Sequence, residues 1–301
     1  MRAGVFLLMT LILHASADLT VDHVTVAGTD LKQMQARLAA VGISNDNGGP
    51  HANGATQMAI ASFPDGSYLE LIAPKANADK KALAAHYWST EMLGDAGPSA
   101  WAVRSNDVDR EVARLRNAGI TVSAPSRSGR TRPDGFRLEW ETAEVGEEPN
   151  GTFFPFLIRD FTPREARAFP KGQPTTRDFT GVRFVVIAVR DLEASAARYR
   201  KAYGVPAPSE QEDSSFGARL ASFAGTPVIL AMPLDSKSQR GSKSWLAARI
   251  ERFGEGPCAF VLGAQRGAAE TGGQRAKSKW FGATIAWFDA EKLGWHLGVE
   301  P

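Results

Sequence analysis

One cysteine, Cys258, is all the thiol chemistry this 301-residue chain possesses. It rules out an internal disulfide, and its place in the apolar run Cys258 to Leu262 reads as core rather than nucleophile. Neither sign of charge prevails: 35 Lys and Arg stand against 33 Asp and Glu, for a net charge of +2. With no basic stripe to track a phosphate backbone, nucleic acid is excluded as a partner. Long hydrophobic runs are missing too. The only candidate, Val5 to Leu13, falls well short of the roughly 20 residues that cross a bilayer. There is no Gly-x-Ser-x-Gly nucleophile elbow, phosphate loop, zinc-protease helix or dinucleotide fingerprint. Those absences remove the commonest enzyme classes.

What is present begins with a leader. Arg2, the apolar core Val5 to Leu13 and the small residues Ala15-Ser16-Ala17 have the layout of a secretory signal peptide, residues 1–17, cleaved before Asp18. The expectation is a secreted or periplasmic protein with no membrane attachment after cleavage. Hydrophobic residues at 43% and charged residues at 23% are globular values, and the length suits two domains.

The clearest internal signal is a repeat. Asp30-Leu31 leads through Ala36-Arg37-Leu38 to Gly42-Ile43, and Asp107-Val108 leads through Ala113-Arg114-Leu115 to Gly119-Ile120. Each copy follows an apolar run, Val21 to Ala27 or Ala100 to Val103, so the unit reads strand, helix, glycine-ended turn. Duplicated modules commonly meet and share one cleft. After the first helix, a polar loop from Ser44 to Gly54 leads to strands Ala55 to Phe63 and Tyr68 to Ala73, joined by Pro64-Asp65-Gly66. A helix from Asp79 to Leu93 bridges to the second module. Its helix, Val108 to Asn117, precedes a basic loop and strands Phe136 to Thr142 and Thr152 to Ile158.

The pattern restarts with strand Val182 to Val189, a helix opened by Asp191 and closed at Gly204, and strands Ala218 to Phe223 and Pro227 to Met232. Cys258 to Leu262, Gly282 to Phe288 and Trp295 to Val299 supply a fourth set. The division expected is residues 18–161, a connection over 162–180 rich in proline and charge, and residues 181–301.

His23 and Glu70 sit on strands where alternation lets both face one concave surface. An imidazole and a carboxylate so delivered are suitable ligands for a divalent metal ion, with His51, from the glycine-rich loop Gly48 to Gly54, as the third. The competing reading makes His51 a solvated loop residue and pairs Glu70 with an arginine. Arg127-Ser128-Gly129-Arg130-Thr131-Arg132 forms the basic loop; Arg130 and Arg132 at a cavity mouth would clamp a small anion, or else belong to a solvated turn. Trp101 and Trp140 read as the apolar wall of a pocket or as core, and His86 as structural.

Asp22-His23-Val24-Thr25-Val26, the Asp-Leu helix, the glycine loop with His51, and Asp65 to Ile72 together resemble the glyoxalase-like branch of the vicinal oxygen chelate superfamily. Arg132-Pro133-Asp134-Gly135 with Leu138 and Trp140, then Phe153 to Ile158, extend the resemblance over residues 20 to 160. It implies an α+β fold of tandem βαβββ modules, forming two domains with curved mixed sheets, the second degenerate. It also puts His23 and Glu70 on first-module metal positions. The second-module counterparts are missing: Ala100 stands where His23 would be, Phe156 opposite Glu70, and Phe184 at the third-module equivalent.

Two functions follow from this reading. In one, a reduced metal site of His23, Glu70 and His51 polarises a small anionic oxygenated substrate in a lyase or isomerase reaction. Glu70 and His51 serve the chemistry, and Arg130, Arg132, Trp101 and Trp140 hold the ligand. In the other, the protein binds or sequesters a small-molecule ligand without chemistry. A third possibility is a module whose sheet face is packed shut. The sequence leaves open whether the halves pair within one chain or a homodimer builds further surfaces.

Overall fold

The computed structural model describes residues 19–132, 134–234, 244–265 and 274–301. The expected signal peptide, residues 1–17, lies outside the described residues. Four modules fold in succession, and each opens its principal helix with a side-chain cap on the orphan amides of the first turn. Asp30 accepts from the amide of Gln33, Asp107 from Arg110, Asp191 from Ala194 and Ser244 from Ala247. The helices end at glycines such as Gly42 (φ 84°) and Gly204 (φ 65°), which take the left-handed conformation without strain.

The first module runs β1 (Val21–Ala27), α1 (Leu31–Ala40), β2 (Asp46–Pro50), β3 (Thr56–Ser62) and β4 (Tyr68–Pro74). Two short helices, α2 (Lys80–Ala84) and α3 (Ser89–Leu93), lead to β5 (Gly97–Arg104), α4 (Val108–Asn117), β6 (Ser126–Thr131), β7 (Arg137–Ala143) and β8 (Phe156–Asp160). After α5 (Arg164–Ala168), the second half repeats the plan with β9 (Phe179–Ala188), α6 (Leu192–Tyr203), β10 (Ser209–Asp213), β11 (Ala218–Ser222) and β12 (Val228–Pro233). It closes with α7 (Trp245–Phe253), β13 (Gly256–Ala264), β14 (Gln274–Trp280), β15 (Ala283–Phe288), α8 (Ala290–Leu293) and β16 (His296–Glu300).

Two mixed eight-stranded sheets result, ordered β2-β3-β4-β1-β5-β8-β7-β6 and β10-β11-β12-β9-β13-β16-β15-β14. In each, two modules meet at an antiparallel central pair, β1 with β5 and β9 with β13. This is the expected tandem α+β architecture. Strand alternation sorts the side chains. Val24 and Val26 face the helices and join one apolar core that also takes Leu38, Leu115, Ile187, Tyr199 and Leu230, so the helix-bearing sides of both sheets share it. Tyr199 donates to the Phe153 carbonyl (2.5 Å) and Arg114 to that of Ala202 (2.7 Å) across this junction. Among the described residues no helix is long and apolar enough to cross a membrane.

Several local expectations change. The Asn- and Gly-rich loop after α1 contains an edge strand, β2, paired from Asp46 to Pro50 with β3. The basic loop is likewise a strand, since β6 pairs residue for residue with β7. Charge on an edge strand is a common guard against sheet-to-sheet association, and here it masks the strand pattern. The bridging helix is broken into α2 and α3, with Trp88 at the break anchored by its indole N–H to the Asn150 carbonyl (2.8 Å).

Candidate functional site

The hollow face of the first sheet is built by the odd-numbered residues of β1 and their neighbours. Parallel pairing of β1 with β4 sets His23 opposite Tyr68 and Thr25 opposite Glu70. The His23 ring stacks on Tyr68 with centroids 4.8 Å apart and planes 4° from parallel, and Phe156 meets its edge at 5.4 Å. Glu70 is buried, and its two oxygens have different partners. Oε1 lies 3.1 Å from His51 Nε2, while Oε2 accepts from the Thr25 hydroxyl (3.2 Å) and stands 3.9 Å from His23 Nε2. Burial alone would raise the Glu70 carboxyl. The hydrogen bond from His51, the charge of both imidazoles and the Thr25 hydroxyl outweigh it and hold the group at about 2.

His51 is brought in by the turn after β2. Its Nδ1 lies 2.8 Å from the Thr56 hydroxyl, which Asn53 also contacts, so the ring is held on both sides. It is half-buried and tied into the site, and among the described residues no arginine pairs with Glu70.

Behind His23 lies an ionic lock that the sequence did not announce. The β1–β5 register shifts between Val21 and His23, so Asp22 is the extra residue of a bulge, a device that re-aims side chains beside functional sites. Its Oδ1 is 2.6 Å from His23 Nδ1. Arg167, from α5, grips the same carboxylate with Nη1 at 3.0 Å and Nη2 at 2.9 Å, and Arg164 Nη1 bonds it too. Burial opposes ionisation of Asp22, but Arg167, His23 and Arg164 keep its carboxyl well below the usual range.

Above this floor opens a cavity of about 290 Å³ whose lining includes His23, His51, Glu70, His86, Arg130 and Trp140. Arg130 reaches it from β6, is buried, and gives one Nη1–H to the Gly48 carbonyl (2.8 Å). No carboxylate lies within ion-pair distance of it among the described residues. The wall adds Trp88 and Ile158 on the apolar side, and Asn150 with a buried amide oxygen that no hydrogen bond satisfies. His86, read as structural, lines this cavity. Burial and then the charge of His51 press it down to about 4.

Two candidates lie elsewhere. Trp101 pairs with Val24 on the opposite face and is fully buried in the apolar core, because the alternation that admits Ala100 and Ala102 to the hollow turns residue 101 away. Arg132 lines a separate crevice of about 140 Å³, where it holds the carbonyls of Ala166 (2.9 Å) and Pro170 (2.8 Å) together with Asp134. Of the residues that sequence reasoning missed, Asp22, Asn150 and Arg167 depend on a bulge or on distant chain, while Tyr68 lies two residues from Glu70 on the same strand face. Asp22 beside His23, and Tyr68 by alternation from Glu70, were the available signals.

The donor set does not fit the expected metal site. Among the described residues no group of three His, Cys, Asp or Glu side chains is placed to hold an ion. His51 and Thr25 occupy separate oxygens of Glu70, and His23 stands back from it. The second module adds no ligand: Thr25 pairs with Ala100, and Ala102 with Phe156, which puts Ala100 and Phe156 at the positions matching His23 and Glu70.

A glyoxalase-like domain family matches residues 21–182, more than half of the chain. No curated protein gives a significant match. Among solved structures, a hypothetical protein from Staphylococcus aureus is similar at 12% identity and a TM-score of 0.62, covering 94% of this chain and 99% of its own. A mutant 4-hydroxymandelate synthase from Streptomyces coelicolor is similar at 13% identity and a TM-score of 0.55, covering 93% and 91%. At such identities the likeness speaks for the two-sheet fold alone.

Proposed function

Since the chain belongs to the glyoxalase-like domain family, whose vicinal oxygen chelate relatives often use a divalent metal on small molecules, we propose that its first-sheet cavity binds a small anionic oxygenated molecule and moves a proton on it. The observation that carries this reading is a buried carboxylate, Glu70, flanked by two imidazoles on the floor of a cavity that also receives the buried cation Arg130. The ligand's carboxylate sits on Arg130. A C–H bond beside its carbonyl breaks, the proton goes to His23 Nε2, and the electron pair passes to the carbonyl oxygen. Glu70, held anionic, stabilises the imidazolium so formed. Return of the proton to a different atom or face completes an isomerisation. No step is routed through a metal, because the donors present do not form a ligand set.

The test is solvent-deuterium exchange, followed by NMR, on a panel of small 2-oxo and 2-hydroxy carboxylates. Exchange that is catalysed by the protein and lost in Glu70→Gln supports the reading. Saturable binding without exchange selects the alternative, a sequestering protein, which Ala100 and Phe156 at the second-module positions favour. We also propose export through residues 1–17, tested by N-terminal sequencing of mature protein, which should begin at Asp18.

A further inference from the structure

The segment between the sheets, expected only to connect them, carries a device that acts on the site. We propose that Arg167, on α5, is a positioning residue that fixes which nitrogen of His23 is offered to the ligand. The inference rests on the reading of His23 as the proton acceptor and deepens it.

The geometry is specific. Arg167 is buried, with 4% of its surface exposed, and all three of its guanidinium nitrogens are used. Nη1 meets Asp22 Oδ1 (3.0 Å) and the Tyr68 hydroxyl (2.6 Å), Nε meets Asp160 Oδ1 (2.5 Å), and Nη2 meets Asp22 Oδ2 (2.9 Å) and Asp160 Oδ2 (2.8 Å). One planar fork thus binds two carboxylates and the phenol on which His23 stacks, an arrangement that a lysine point charge reproduces only in part. Asp22 cannot turn away, and its carboxylate accepts the Nδ1–H of His23. Nε2 is left as the ring atom directed at Glu70 and the cavity. In catalytic and metal sites alike, an imidazole's tautomer is set by the bond its other nitrogen makes.

The second sheet is tied to the same device. Downstream of α5, the Thr175 hydroxyl bonds the Ser62 amide (2.9 Å), and Asp65 donates to the Thr180 carbonyl (3.3 Å) just before the Val182 amide reaches the Ser67 hydroxyl (3.0 Å). The chain that begins β9 is therefore sewn to the β3–β4 hairpin, with α5 held between. This gives the second half a part in the site without a reacting group of its own.

The experiment is side-chain 15N NMR on the full-length protein without ligand, comparing wild type, Arg167→Lys, Arg167→Met and Asp160→Asn. The wild type should show a His23 Nδ1–H that is shifted downfield and slow to exchange with water. Arg167→Met should lose it and give mixed tautomers, Arg167→Lys should keep part of it, and catalysed deuterium exchange should fall more than tenfold in kcat with little change in KM. A folded Arg167→Met protein with an unchanged Nδ1–H signal overturns the proposal. If Arg167→Met fails to fold, Asp160→Asn decides, since it frees Arg167 from one anchor and should broaden the same signal; an unchanged signal there overturns the proposal as well. The resonance is read on free protein, so failure of the proton-transfer reading appears separately, as absent exchange in a wild type whose Nδ1–H is intact.

Discussion

The hollow faces of the two sheets share one register and almost no chemistry. Where the first pairs Thr25 with Glu70, the second pairs Val186 with Ile229. Around this apolar floor Phe216 packs against Trp245, Trp280, Trp287 and His296, with centroids between 5.0 and 5.7 Å, so aromatic rings cover its centre and leave openings to either side, one beside Phe184 and Trp280 and one beside Trp245 and His296. The edges differ as well. In the second sheet Gln211 bonds the Lys279 carbonyl and the Phe281 amide, and Asp213 holds the Trp280 indole, so β10 and β14 are laced together. In the first, Arg130 to Gly48 is the side-chain bond joining β6 to β2, and a cavity remains beside it. What separates the two hollows is the chemistry of the floor: buried polar groups that keep their partners in the first, aliphatic and aromatic side chains in the second.

Substitutions that exchange these characters should sharpen the contrast. The largest effect is expected for Glu70→Ile, which copies the second floor into the first; catalysed exchange should drop by about 10²–10⁴, measured as kcat/KM. Next, Phe216→Ala should cost about 3–5 kcal/mol in urea unfolding by opening the aromatic cluster, while ligand affinity at the first sheet stays unchanged. Arg130→Gln should weaken binding of an anionic ligand by about tenfold to a hundredfold, as loss of a charged hydrogen bond predicts, whereas Arg132→Gln should leave affinity alone; calorimetry reads both.

A smaller effect concerns acid. The Glu70 carboxyl is lowered on folding, so it contributes stability above its ordinary value of 4.5 that is lost as pH falls towards about 2. Unfolding midpoints followed over that interval should fall less steeply in Glu70→Gln than in wild type. The smallest change is expected on chelator treatment, which should leave ligand affinity as it was; its loss would restore the three-ligand reading.

The contrast was half legible in the sequence. The Asp-Leu pattern marked three modules because an aspartate caps each helix, whereas the fourth was legible only in its strands, since Ser244 performs that office. His23, His51 and Glu70 were found through alternation and a glycine turn, and the structure brings them together. Ala100 and Phe156 were placed by counting, and the strand register puts them at those positions. Trp101 was misjudged because an aromatic residue on a strand carries no mark of which face it takes. Arg132 went astray because a run of arginines does not tell which guanidinium finds carbonyls nearby. Arg167 was invisible for a different reason: it acts on a residue 145 positions away, and only the path of the chain through α5 unites them.

The most direct test of the contrast is a titration of the small oxo- and hydroxycarboxylate panel into protein with 15N-labelled histidines. Binding in the first hollow should perturb His23 and His51, leave His296 unmoved, and weaken in Arg130→Gln. Perturbation of His296 with His23 and His51 silent would contradict the account.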